Sequence, residues 1–122
     1  MPSTPADFRR LALSFPKTEE RKHMNHPDFR VGGRIFATLG YPAHGWAMIK
    51  LPLEEQEFFV RAAPDAFVVV KGAWGRQGAT NVILAAAKQA AVRAALEAAW
   101  RCAASHPPKG KAKRKGRVAQ RR

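Results

Sequence analysis

Phe8, Leu11, Ala12 and Phe15 recur at helical spacing behind Thr4-Pro5-Ala6-Asp7. There Thr4 can cap, Pro5 suits the first helical position, and Asp7 meets the positive end of the dipole. The pattern predicts a helix that Pro16 stops. Lys17 to Asn25 then reads as a polar connection, with Glu19, Glu20, Arg21 and Lys22 as a solvated charge run. Phe29-Arg30-Val31 and Arg34 to Leu39 flank Gly32-Gly33, and a two-residue glycine turn between alternating runs predicts a hairpin. A third strand, Trp46 to Leu51, follows a loop short enough to favour antiparallel pairing with its predecessor.

Pro52 opens a second helix with Glu54, Glu55 and Glu57 in its first turn and Phe58, Phe59 and Ala62 available to bury, and Pro64 marks its end. Phe67 to Val70 and Thr80 to Leu84 are β-rich runs on either side of a glycine-punctuated loop, which makes that loop a hairpin tip, or wing. From about Ala85 to Ser105 a last helix carries Val92, Leu96, Ala99, Trp100 and Ala103 on one side and Gln89, Arg93, Glu97 and Arg101 on another. The order α-β-β-β-α-β-β-α implies an α+β fold, an antiparallel sheet with helices packed on one face.

Length and charge divide this picture. The chain has 122 residues, enough for one core, and a formal net charge of +13. Eight of its 22 Lys and Arg lie after Ser105 with no acid among them, so the body carries 14 basic against 9 acidic residues. We therefore expect an α+β domain over residues 1–105 and a disordered basic tail over 106–122 that acts as an electrostatic arm. Nucleic acid is the expected partner of such an arm, by counterion release, ahead of anionic lipid, since no amphipathic apolar face accompanies it. No apolar run reaches the roughly eighteen residues of a membrane span. Asp7, Arg9 and Arg10 interrupt the place of a signal-peptide core, so the expected compartment is the cytoplasm. The single Cys102 falls in an alanine-rich helical stretch and reads as a small buried residue.

The loop Lys71-Gly72-Ala73-Trp74-Gly75-Arg76-Gln77-Gly78-Ala79-Thr80 holds the most suggestive chemistry. Its glycines permit close backbone approach, while Trp74 offers a stacking face and Arg76 a planar fork of donors, a pairing suited to bases and phosphates. The competing reading makes Trp74 the edge of the core and Arg76 a solvated residue. His23, His26 and Asp28, with Glu19 or Glu20, could supply metal ligands. Their spacing is loose, however, and the body lacks an acidic ridge, so no metal and no cofactor are expected. The simpler reading has His26 and Pro27 shaping the hairpin's start and Asp28 making a local turn hydrogen bond. Without a P-loop, dinucleotide fingerprint, nucleophile elbow or acid–base carboxylate pair, and with no visible partner for Ser14 or His44, no enzyme is expected. The main alternative to a nucleic-acid binder is a small-ligand or protein-interaction module. In it Tyr41, Trp46 and Trp74 would frame an apolar pocket, with Arg76 or Lys50 orienting an anionic group.

Three segments carry a family resemblance: His26-Pro27-Asp28-Phe29-Arg30-Val31-Gly32-Gly33-Arg34-Ile35-Phe36-Ala37, then Trp46 to Leu51, then Gly72-Ala73-Trp74-Gly75 through Leu84. In this order they resemble the YjbR/MmcQ family of small bacterial proteins, over about Pro5 to Ala103. The resemblance implies a frataxin-like (CyaY-like) α+β fold and DNA binding through a double-wing arrangement. The second wing would be the Gly32-Gly33 hairpin, flanked by Arg30 and Arg34. Where relatives often place an aromatic before the threonine, this chain has Ala79, which leaves Trp74 as the stacking surface. The candidate nucleic-acid-binding residues are thus Arg30, Arg34, Lys71, Trp74 and Arg76 on the scaffold. Lys109, Lys111, Lys113, Arg114, Lys115 and Arg117 would form the tether.

Overall fold

The structure is a computed structural model and describes residues 2–41 and 43–105. Its first helix, α1 (Pro5–Leu13), starts at a reciprocal cap: Thr4 Oγ1 accepts from Asp7 N at 3.1 Å and the Asp7 carboxylate accepts from Thr4 N at 3.0 Å. That backbone bond, followed by the Thr4 hydroxyl and Arg10, holds the Asp7 carboxyl below its ordinary range. Phe8, Leu11 and Ala12 turn inward, and the helix gives way at Ser14, ahead of Pro16.

The remaining elements are β1 (Glu19–His23), β2 (His26–Val31), β3 (Arg34–Leu39), β4 (Trp46–Lys50), α2 (Leu53–Ala62), β5 (Phe67–Val69), α3 (Ala73–Arg76), β6 (Ala79–Ile83), a 3-10 turn at Leu84–Ala86, and α4 (Gln89–Ala104). The strands form one antiparallel sheet in the order β1-β2-β3-β4-β6-β5. The fold is α+β as expected, with two corrections to the element order. The stretch read as a polar connection contains β1, an edge strand whose five residues are all exposed. Glu-Glu-Arg-Lys-His has no apolar alternation to announce a strand; backbone pairing with β2 holds it, helped by Arg9 Nε, 3.0 Å from Glu20 Oε1. The second correction concerns the glycine loop. It folds into a helical turn, α3, between β5 and β6 rather than an open hairpin tip.

Gly32 and Gly33 both take positive φ, 60° and 80°, as a tight hairpin turn between right-twisted strands requires. Beyond it the β2–β3 register slips: Phe29 faces Ala37 but Arg30 faces Ile35, so Phe36 is the extra residue of a bulge. The slip sends Phe36 and Ala37 into the core together and turns Ile35 to the other face with Arg30. Helices α1, α2 and α4 pack on one face, over Ala37, Leu39, Ala47, Ile49, Val82 and Phe67. Burying each large side chain of this core contributes about 2 kcal/mol. Trp100 of α4 closes one margin by stacking on Phe15 and donating from Nε1 to Pro16 O at 3.1 Å. Among the described residues no helix is long and apolar enough to cross a membrane.

Opposite the helices lies an open face. One row of residues in register crosses it from edge to edge: Arg21, Asp28, Thr38, Met48, Asn81 and Val68. Because side chains alternate along a strand, Arg30, Ile35, Lys50 and Ala79 share that face one step nearer the Gly32-Gly33 turn.

Candidate nucleic-acid interface at one end of the sheet

Strand register decides which loops are neighbours. β3 leaves the Gly32-Gly33 turn at Arg34, β4 ends at Lys50 opposite Ala79, and β5 ends at Val69 opposite Thr80. The β2–β3 turn and the α3 segment therefore sit at the same end of the sheet, with Lys50 between them. The last turn of α4 reaches the same place: Cys102 and Ala103 line a cavity of about 230 Å³ with Arg34, Ile35, Lys50 and Gln77. The basic C-terminal stretch follows α4 in sequence after Ser105. Its candidate residues Lys109, Lys111, Lys113, Arg114, Lys115 and Arg117 lie outside the described residues.

The α3 segment is held from below. Gly75 is buried so tightly that a Cβ there would stand 1.6 Å from Val70 O, and a Cβ on Gly78, at φ 109°, would stand 1.9 Å from Leu51 O. Only glycine allows these backbones to approach, which is the use of the two residues. Leu51 N donates to Gly78 O at 2.9 Å, tying the segment to the end of β4. From α2, the buried Gln56 amide donates to Gly75 O (2.9 Å), Ala79 O (3.1 Å) and Thr80 Oγ1 (3.1 Å). The outer side chains of the segment are thus presented on a fixed base. Trp74 is 62% exposed and does not close the core. Lys71 and Arg76 are exposed, and among the described residues neither they nor Lys50 meets an acidic partner.

Arg34 stands at the hairpin end beside Cys102, half-buried. Arg30 is differently placed. Its Nε and a terminal nitrogen donate to the two oxygens of Asp28 at 2.7 and 3.0 Å, and its side chain is only 26% exposed. Asp28 is fully buried and also has His23 Nδ1 2.7 Å from Oδ2. Burial pushes its carboxyl up, but the hydrogen bonds from Arg30 and His23, with their charges, outweigh it and leave the group below its ordinary value. The same hydrogen bond raises the Arg30 guanidinium. Asp28 thus makes an ion pair across the open face rather than the local turn bond expected. Arg30 braces the strands, with much of its donor set already engaged.

Beside α3 the open face sinks into a second cavity, about 340 Å³, with Trp74 and Gln77 as one wall, Thr38 and Met48 as floor, and Lys50 and His23 at its margins. Of the residues named for a small-ligand pocket, Trp74 and Lys50 do meet here. Tyr41 instead packs edge-on against His26, and Trp46 lies at the other end of β4. Residues that sequence reasoning passed over include Gln56 and Thr38. The Asp28–Arg30 pair had a signal, opposite charges two apart in a strand and so on one face. Gln56 had none, since a glutamine in an acidic first turn reads as solvated.

A family model described as YjbR matches residues 13–102. No curated protein and no solved structure matches the chain. The match covers most of the sequence, including all six strands, and on that ground the chain belongs to the YjbR family.

Proposed function

We propose that the protein is a nucleic-acid-binding protein, with DNA the expected form, that engages phosphates through one end of its sheet. The observation that carries the reading is the convergence there of the β2–β3 turn, the α3 segment and the end of α4. It gathers Arg34, Lys50, Lys71 and Arg76 around an exposed Trp74, at the end of the helix that the basic C-terminal stretch follows in sequence. Lys50, Lys71 and Arg76 meet no acidic partner among the described residues, so they can bind a polyanion without first breaking an ion pair and release its counterions. No catalytic step is assigned, and the compartment expected for such a partner is the cytoplasm. The 340 Å³ cavity favours a second reading, a small anionic ligand held between Trp74 and Lys50.

Titration of labelled oligonucleotides by fluorescence polarisation at several salt concentrations separates the two. If both cations touch phosphate, Lys71→Ala/Arg76→Ala should lower affinity for every sequence tested. It should also flatten the slope of log affinity against log salt by about 1.8, at roughly 0.9 per duplex phosphate contact. A slope unchanged by the double substitution would remove this end of the sheet from the interface.

A further inference from the structure

We infer that the cavity on the open face receives one unstacked base of a single-stranded stretch, an inference that rests on the nucleic-acid reading above. The floor of the cavity is the observation that points to a ligand. Thr38 is only 2% exposed, lines the cavity, and its side-chain hydroxyl makes no hydrogen bond among the described residues. The hydroxyl has no protein partner, so a ligand edge that reaches Thr38 can bond to it without breaking a bond inside the protein. Two strands along the same row, Asn81 Oδ1 is also buried and unpartnered. Met48 lies between them in register and offers a polarizable surface to a ring.

The walls fit the same occupant. Trp74 supplies a stacking face, Gln77 an amide that can both donate and accept, and Lys50 a cation at the margin for the adjoining phosphate. A space of about 340 Å³ lies at the small end of ligand pockets and cannot admit a duplex. Bases inside a duplex are stacked and paired, whereas a splayed base presents both its face and its edge. The neighbouring cations Lys71 and Arg76 then hold the strand that carries the base.

The test uses the full-length protein and a short single strand containing 2-aminopurine, alongside the same sequence as a blunt duplex. Insertion beside Trp74 should quench the probe, and the single strand should bind about tenfold more tightly than the duplex. Trp74→Ala should cost the single strand about tenfold in affinity. Thr38→Val, nearly isosteric and removing no internal bond, should cost it about fivefold with an unchanged melting temperature. Thr38→Val should not move duplex binding that much. Equal binding of both forms, an unquenched probe, or a Thr38→Val protein with full single-strand affinity would empty the cavity of this role while leaving the phosphate-binding end intact. Tight, saturable binding of deoxyadenosine monophosphate alone, matching the strand, would assign the cavity to a free nucleotide and overturn the inference. Failure of every strand to bind would instead overturn the nucleic-acid reading itself.

Discussion

Replacing Gln56 by Met keeps the length and bulk of the side chain but removes the donors beneath α3. The amide has two N–H groups for three acceptors, Gly75 O, Ala79 O and Thr80 Oγ1. Two of these keep another donor: Gly78 N reaches Gly75 O at 3.1 Å, and Val70 N reaches Ala79 O at 3.1 Å. The Thr80 hydroxyl still donates to Gly78 O at 3.0 Å but has nothing to accept from. The loss is thus near two net hydrogen bonds with no wholly orphaned carbonyl, about 2 kcal/mol rather than the larger cost of stranding three acceptors. Gln56→Glu should be worse at neutral pH, because it aims a carboxylate at three oxygens, and should recover on acidification as the carboxyl gains a proton to donate. In urea, at a slope of roughly 1–2 kcal/mol per molar, Gln56→Met should lower the midpoint by about 1–2 M. Amide exchange at Leu51 and Gly78 should quicken with it, because Leu51 N donates to Gly78 O. Midpoints within error of each other for the native and Met proteins, or a Glu protein no worse than the Met one at pH 7, would refute the view that this amide holds the segment.

Asp28 contributes stability above its unfolded value, near 4, that is lost as pH falls through its lower folded value. The native melting temperature should therefore drop below about pH 4. In Asp28→Asn this acid limb should be shallower and the protein destabilised by about 2 kcal/mol at neutral pH, below the full cost of breaking a buried pair because Arg30 keeps some solvent. An equally steep limb in the Asn protein, followed by circular dichroism, would place the titration elsewhere. Gly75→Ala should cost about 3 kcal/mol, since its Cβ would meet backbone rather than a movable side chain. Chemical denaturation checks this, and a change under 0.5 kcal/mol would mean the segment shifts freely.

Much of the fold is local and so was legible. The Thr4–Asp7 cap, the Gly32-Gly33 turn and the apolar stripe of α4 are each set by residues close in sequence. Two elements escaped because tertiary pairing makes them. β1 carries no buried residue and exists only as the partner of β2, and α3 is built on Gly75, with Gly78 just beyond it, although glycines usually break helices. Those glycines are demanded by Val70 O and Leu51 O, atoms that only the folded chain brings near. The site divides likewise. Lys71, Trp74 and Arg76 stand out by type, and the structure leaves them exposed. That Arg30 is engaged by Asp28, or that Lys50 and Cys102 join Arg34 at one end, follows from register and helix packing, which composition cannot express.

The outer margin formed by Glu19–His23 sets a limit on how the molecule can be approached. An uncovered strand leaves peptide groups on which another chain could build, but here every side chain beside them is polar and all five are hydrated. A second copy adding alongside would have to strip water from that row of mixed charges. Growth of the sheet is thereby discouraged at this margin, which favours contact through the broad uncovered surface and its cationic end.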